Sequence, residues 1–478
     1  MSARTASIYS GFLAAIAAAV WFGPEERPRQ DRQPRHELGQ FYAVDVASPR
    51  AALDLEFDPA SRYELIVSSL GDAARKFRVC LKATSKTRVE SSPGVRVARL
   101  KKSSSRRSFR PDACPPASDA TITGTAQRRF YLHVADDSPE DPRGYVPVAA
   151  QLVAEGRRVR VYLDRQESSS GSGAALIDEI VRLLDDEIIP RSMEILGEHA
   201  DVDDDGKLAV LVTPWLARLC GGKTSLKGCV RSSDFIAGAA APFGNHADLI
   251  YLNSDLAPGP MLKAVLAHEY THAVCFSRRL ASTRRGPPLP AEDDWLNEAI
   301  AHVAENLHNA GWSNLDHRIE RFLEAPQNSP LAVCDYYRAG LWRDPGCRGA
   351  TYLFLQFCVD RFGEQLLHDL VEGAASGRRN IERATGTDFS ELFRQWTLAL
   401  AEDEISSVPL RGRLRSRKLS GLARIAWNVD HGPCEVDLCG TATSIVALDR
   451  ARGRGVVRVS IESERGACLQ VTLVPRSK

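Results

Sequence analysis

The feature that most constrains this 478-residue chain is the segment 260–279, which reads PMLKAVLAHEYTHAVCFSRR. Its apolar residues recur at helical spacing, a proline lies at its first position and arginines lie at its last two. The pattern therefore predicts a helix. His268 and His272 are four positions apart and therefore lie on one helical face, one turn apart. Two imidazoles aimed at one point suit tetrahedral Zn²⁺. Glu269 is turned by about 100° from His268, close to such a metal but not on it, where a carboxylate can accept a proton from water.

A second predicted helix, residues 293–307, reads DDWLNEAIAHVAENL. Glu298, His302 and Glu305 follow one another at i, i+4 and i+7 and so share one face of that helix. Spacing alone leaves two candidates for a third metal ligand, Glu298 and His302.

The order of these residues resembles that of the gluzincin metallopeptidases, such as the thermolysin and aminopeptidase groups. HEYTH is followed, 26 positions after His272, by the Glu of WLNEAIAHVAE. The resemblance implies that Glu298 is the third ligand of one catalytic zinc ion and that Asn297 is its neighbour in an Asn-Glu pair. It also implies that Glu269 is the catalytic base. The segments DVDDDGKLAVLVT, ADLIYLN and ATYLFLQFCVDRFG further resemble the hyicolysin-like secreted bacterial peptidases, and this likeness covers about residues 126–404.

The chain departs from these families at two places. Thermolysin-like enzymes carry an Asp four residues after the Glu ligand, where it orients a His ligand; here that position is His302, and Glu305 is the candidate for the orienting role. The aminopeptidase-like pattern includes a Tyr that stabilises the oxyanion. Tyr352, Tyr336 and Tyr337 are the candidates for it, with Tyr352 favoured, although core packing is the commoner role of such a tyrosine.

The function implied by the resemblance is hydrolysis of peptide bonds in a protein or peptide substrate by a zinc-activated water, with Glu269 as general base. An endopeptidase is favoured, because no amine-anchoring motif is evident. The alternative is a degenerate zincin that acts as an exported binding or adhesion protein. The intact HEYTH argues against it, since a site that only binds zinc needs no Glu269.

The expected fold class is α+β, with a zincin-type core (a sheet, an active-site helix and a helical C-terminal subdomain) flanked by small β-rich domains. The predicted division is 1–22 leader, 23–40 linker, 41–126 β-rich N-terminal domain, 127–404 metallopeptidase domain and 405–478 β-rich C-terminal domain. Alternating apolar and polar residues support both β-rich assignments.

Residues 8–22 form an uncharged apolar run of 15 residues behind Arg4. A run this short predicts a secretory signal peptide or, as the alternative, an N-terminal anchor. Both place the protein outside the cytoplasm, secreted or in the cell envelope, with membrane contact only through such an anchor. The net charge of +1 gives no reason to expect nucleic acid as a partner.

Two weaker signals concern calcium and disulfides. Asp201, Asp203, Asp205 and Gly206 form DxDxDG, the opening half of a calcium loop, but the closing Glu would fall at Val212. A tight polar turn before a strand is therefore favoured over calcium. In an exported protein the eleven cysteines can oxidise, and the plausible local pairs are Cys220–Cys229, Cys334–Cys347 and Cys434–Cys439.

Overall fold

The computed structural model describes residues 42–45, 50–57, 62–86, 127–135, 139–166, 173–236, 239–282, 289–311, 313–342, 344–401, 421–450 and 455–476. The predicted leader and linker, residues 1–40, lie outside these ranges.

A six-stranded sheet forms the centre of the chain, in the order β5-β6-β7-β8-β10-β9. Its strands are β5 (Gln127–His133), β6 (Tyr145–Glu155), β7 (Val159–Asp164), β8 (Leu208–Thr213), β9 (Gly228–Cys229) and β10 (Leu249–Asn253). β7, β8 and β10 run parallel, while β5, β6 and the edge strand β9 are antiparallel to their neighbours. Every residue of β8 and β10 is buried, as continuous apolar runs covered on both faces should be.

The helices cover this sheet and extend beyond it. They are α1 (Ala174–Leu183), which passes through a π turn (Leu184–Ile188) into α2 (Ile189–Ile195), the short α3 (Leu219–Gly222), α4 (Pro260–Ser282), α5 (Asp294–Leu307), α6 (Asp316–Glu324), α7 (Pro345–Phe362), α8 (Gln365–Val371), α9 (Gly377–Thr385) and α10 (Phe389–Ala401). A single apolar core joins α1, α2, α4, α5 and α7 to the sheet and to α10. The expected α+β class is thus confirmed.

The helix with the HEYTH motif, α4, packs against α5, and α5 in turn packs against α7. α7 approaches α6 closely at Gly349, where an added Cβ would lie 2.2 Å from the carbonyl oxygen of Arg318. Only glycine permits that distance between the two helices. The packing holds α5 firmly between α4 and α7.

The two β-rich ends of the chain form one β-sandwich, which corrects the prediction of two separate flanking domains. One sheet has the order β1-β15-β3-β13-β11 and the other β12-β4-β14-β2. The N-terminal strands are β1 (Tyr42–Asp45), β2 (Arg50–Phe57), β3 (Arg62–Ser69) and β4 (Lys76–Lys86), and the C-terminal strands are β11 (Arg424–Asn428), β12 (Cys434–Cys439), β13 (Thr443–Asp449), β14 (Gly455–Ser463) and β15 (Leu469–Arg476). Strands from the two ends alternate everywhere except at the β13-β11 pair, so each end supplies the neighbours that cover the strand edges of the other.

The sandwich contacts the helical part of the chain through a turn between β12 and β13. Thr441 in this turn accepts hydrogen bonds from the backbone N–H groups of Leu331 and Ala332, at its carbonyl oxygen and its hydroxyl, both at 2.9 Å. Ile66 and Val474 of the sandwich also lie in the apolar core shared with the helices. The sandwich is therefore packed into the body of the protein.

Two sequence expectations concern the membrane and the cysteines. None of the helices in the described ranges combines the length and apolarity needed to cross a bilayer. All ten cysteines in those ranges are free thiols, so none of the three predicted local disulfides is formed.

Candidate metal centre

His268, Glu269 and His272 lie on α4, which packs against α5. All three side chains are buried. The Nε2 atoms of the two histidines face each other at 3.1 Å. The helical spacing thus places both imidazoles at one point.

Glu298 reaches the same point from α5. Its carboxylate oxygens lie 3.4 Å from His268 Nε2 and 3.8 Å from His272 Nε2. His302, the other candidate for third ligand, lies one turn further along α5, with its Nε2 3.9 Å from the Glu298 carboxylate. Glu298 is therefore the group that completes a trio with both histidines of HEYTH.

The other ring nitrogen of each histidine is occupied. His268 Nδ1 lies 2.8 Å from the Glu305 carboxylate, and His272 Nδ1 lies 3.3 Å from the Asn297 side-chain oxygen. Burial alone would raise the pKa of Glu305, but the hydrogen bonds from His268 and His302 lower it to about 2. Glu305 is therefore ionised and accepts a hydrogen bond from each of the two rings. In both His268 and His272, Nδ1 therefore carries the hydrogen. In a neutral ring of this tautomer, Nε2 has a free lone pair.

Two lone pairs and a carboxylate facing one another are mutually repulsive unless a cation lies between them. Burial, followed by the neighbouring His268, holds the pKa of His272 well below its usual value. Protonation of this ring therefore does not relieve the repulsion. Four ligands at zinc–nitrogen and zinc–oxygen distances in a tetrahedron lie about 3.3 Å from one another. The three observed separations, 3.1, 3.4 and 3.8 Å, fall around that value. These residues therefore fit a single metal ion of that size.

Glu269 lies beside this trio. Burial raises its pKa to about 7; His268 and Arg348 oppose the shift and Glu305 adds to it. An added Cβ at Gly228 would lie 2.9 Å from Cγ of Glu269, so the edge strand β9 touches the Glu269 side chain at a residue that has none of its own. The carboxylate is therefore both desolvated and held beside the sheet edge.

Arg348 is a site residue that the sequence reasoning missed. Its Nη1 lies 2.5 Å from the Glu298 carboxylate, and its guanidinium stacks on the ring of Tyr336, 4.3 Å from the centroid. Burial lowers the pKa of Arg348 to about 10, which leaves it a cation at neutral pH. Arg348 is the one charged residue in the first 15 positions of α7, and a charge in an otherwise apolar helix is the signal that could have revealed it.

The other predicted site residues fall in different places. His302 Nδ1 lies 2.8 Å from the Glu305 oxygen that also faces His268, so one carboxylate holds both rings. Tyr352 is fully buried on α7, Tyr337 is exposed on a loop, and Tyr336 reaches the site through Arg348. The oxyanion role of Tyr352 stays a prediction.

Together these residues form a candidate site for one metal ion with a desolvated carboxylate beside it, an arrangement suited to hydrolysis with a metal-activated water. No family model matches the chain. The chain is 24% identical over 250 residues to the neutral metalloprotease ShpI of Staphylococcus hyicus, a match that covers 49% of this chain and 53% of that protein. The chain thus spans about half the length of the curated relative that it matches. This distant similarity supports a metallopeptidase relationship and, with it, a metal cofactor.

Proposed function

We propose that this protein is an exported zinc-dependent endopeptidase. The observation that carries the proposal is the convergence of two imidazole lone pairs and the Glu298 carboxylate beside a buried, proton-accepting Glu269. Its similarity to a neutral metalloprotease points to the same reaction class. Export rests on the apolar run at residues 8–22, as expected of a signal peptide or anchor.

His268, His272 and Glu298 would hold the metal. Zinc, when bound, would supply a Lewis acid that makes a water molecule acidic and polarises the scissile carbonyl. Glu305 and Asn297 fix the tautomers of the two histidines, so that each presents Nε2 to the ion. Arg348 pairs with one oxygen of Glu298 and leaves the other to face His268.

Glu269 acts as the general base in this proposal. It takes a proton from water as the new carbon–oxygen bond forms and passes it to the leaving amine as the carbon–nitrogen bond breaks. A pKa near neutrality suits a group that must both accept and return a proton, and burial is the main cause of that pKa.

The sheet edge supports a peptide as substrate. β9 is the outermost strand of the central sheet, and its Gly228 lies against Glu269. An extended peptide can add to such an edge through main-chain hydrogen bonds, which brings its carbonyl groups past the base. Because this pairing needs no chain terminus, it favours cleavage within a chain.

The test compares the parent protein with Glu269→Gln on unfolded casein, with zinc content and thermal melting measured for each. The parent and Glu269→Gln should each bind one zinc, and the variant should lose at least about 10²-fold in kcat/KM. Glu194→Gln, the same change at an exposed glutamate of α2, should behave as the parent. Equal cleavage by Glu269→Gln would remove the base from the mechanism. Zinc binding without cleavage by the parent would favour the exported binding protein instead.

A further inference from the structure

A second cluster of metal-ligating side chains lies on the far side of α4 from the candidate zinc site. Asp201 and Asp203 belong to the DVDDDG loop that leads into β8, and Asp248 comes directly before β10. Because β8 and β10 are parallel neighbours, with Leu249 opposite Ala209, both strands begin at the same end of the sheet. One carboxylate oxygen from each of the three aspartates lies within 4.8 Å of the others.

Asp248 is fully buried, and its Oδ1 has no hydrogen-bond partner. Its other oxygen, Oδ2, lies 3.0 Å from His199 Nε2. Asp203 shows the same pattern: Oδ2 lies 3.2 Å from Arg128 Nη1, and the buried Oδ1 has no partner. Leaving buried carboxylate oxygens without a hydrogen-bond partner is unfavourable, because their desolvation is not compensated.

The remaining charges do not relieve this crowding. Burial, followed by the charges of Asp205 and Asp248, raises the pKa of Asp203 to about 6, and burial also raises the pKa of Asp248. Asp205 is engaged elsewhere, since its carboxylate pairs with Arg160 and accepts the Lys207 backbone N–H. The buried, unpartnered oxygens of Asp203 and Asp248 thus belong to carboxylates that lie close together, with Arg128 and His199 as their paired cationic or polar neighbours.

We infer that Asp201, Asp203 and Asp248 bind one calcium ion. Calcium takes oxygen ligands at about 2.3–2.6 Å, so two ligands on opposite sides of the ion lie about 4.8 Å apart. The three aspartate oxygens lie within 4.8 Å of one another, so one ion of that size can reach all three. An all-carboxylate set with no nitrogen or sulfur favours calcium over zinc, and an irregular set drawn from two loops favours calcium over magnesium, which demands a near-ideal octahedron.

The structure also explains why the loop departs from the EF-hand sequence. In the EF-hand the closing carboxylate comes from the twelfth loop position, which is Val212 here and is buried in β8. Asp248 takes that role from the neighbouring strand, at a position that no spacing rule within the loop could indicate. Asp201 still has free lone pairs, because its oxygens accept only the backbone N–H groups of Asp205 and Gly206.

The ion would act on α4 through His199. His199 Nε2 faces Asp248, and His199 Nδ1 lies 2.9 Å from the Tyr270 hydroxyl. Tyr270 is the middle residue of HEYTH and points away from the zinc ligands into the core. Calcium held by Asp248 would fix this chain of contacts and so stabilise the position of α4. His199 and Tyr270 are positioning residues in this account.

The test is a calcium titration of the purified full-length protein by calorimetry, with and without zinc, together with thermal melts. The parent should bind one calcium with a dissociation constant below about 1 mM and should melt at higher temperature when calcium is present. Asp203→Asn and Asp248→Asn should each lose at least about tenfold in affinity. Asp204→Asn, an exposed aspartate of the same loop whose φ of 57° suits asparagine, should bind as the parent does.

Three outcomes would overturn the site: no heat of binding for the parent, unchanged affinity in Asp203→Asn, or equal binding of magnesium. If Asp248→Asn does not fold, Asp203→Asn decides, because Asp203 is only partly buried. Glu269→Gln should bind calcium as the parent does, so a failure of this site and a failure of the proposed peptidase activity are told apart.

Discussion

The candidate metal centre and the β-sandwich are built in opposite ways. All the side chains at the metal centre come from three helices, and two of those helices are adjacent in sequence. The sandwich joins the two ends of the chain, so that Ser68 and Thr443, 375 positions apart, share a hydrogen bond. Sequence patterns describe the first region because its geometry is helical repetition, whereas the second depends on pairing between distant strands.

The energetics of the two regions also differ. The metal centre buries three imidazoles and the carboxylates of Glu269 and Glu305, with Glu298 partly buried, which costs stability that a bound cation and complete hydrogen bonding offset. The sandwich buries a core of Leu, Val, Ile and Phe side chains with few charges. The sandwich therefore stabilises the folded protein, whereas the metal centre without its ion destabilises it.

The largest expected effect follows from removing residues 421–478. β3 lies between β15 and β13, and β4 lies between β12 and β14, so the deletion exposes both edges of both strands. We expect the truncated protein to lose its cooperative thermal transition and to aggregate. Circular dichroism melts and size-exclusion chromatography test this, with removal of residues 477–478 as the control. A truncated protein that stays folded and active would instead show that the N-terminal strands do not need the C-terminal strands.

The second prediction concerns Glu305→Gln. Glu305 accepts from both His268 and His302, and loss of its charge leaves the His268 tautomer unfixed. Zinc affinity should fall by about 10–100-fold, measured by competition with a chromogenic chelator. Glu292→Gln is the matched control, because Glu292 is also in a buried ion pair but with Arg279, away from the site. Glu292→Gln should lower stability and leave zinc affinity unchanged. If Glu305→Gln leaves zinc affinity unchanged while Glu292→Gln lowers it, Glu305 does not support the metal ligands.

Periodicity predicts that His268 and His272 share one helical face and that Glu298 and His302 share another, whereas the choice of Glu298 as third ligand comes from the family resemblance. The lone charge of Arg348 in an apolar helix marks it as unusual, but its pairing with Glu298 could not be predicted, because the two residues lie on different helices 50 positions apart. Asp248 was missed for a similar reason: its relation to the DVDDDG loop exists only through the parallel pairing of β8 and β10. Alternation predicts that both ends of the chain are β-rich, but alternation within a strand carries no information about which distant strand it pairs with.

Arg348→Met offers a smaller effect on the same centre. The change removes the cation that faces Glu298 and Glu269 and keeps the apolar stem against Tyr336. We expect kcat to fall about tenfold with KM little changed and zinc still bound, and Arg348→Lys to recover part of the rate. Arg361→Met, on the same helix but beside Phe362, is the control and should retain the parent kcat. Full activity of Arg348→Met would mean that the ion pair only packs α5 against α7.

The last prediction, with the smallest expected effect on the metal centre, tests whether the two regions unfold together. Thr441 of the sandwich has a φ of 53°, rare for a β-branched residue, and its hydroxyl accepts the buried N–H of Ala332. The residues directly after Ala332 contact the first turn of α5. There the backbone N–H groups of Asp294 and Trp295 donate to the carbonyl oxygens of Cys334 and Val333.

Thr441→Val removes that acceptor and should lower the free energy of unfolding by about 1–3 kcal/mol, while Thr441→Ser keeps the hydroxyl and should not. Because the hydrogen bonds at the start of α5 remain, zinc affinity should be unchanged within error, and urea unfolding should stay a single transition at lower midpoint. Two transitions in Thr441→Val would instead show that this one turn is what couples the sandwich to the metal centre, and that each region holds its fold without the other.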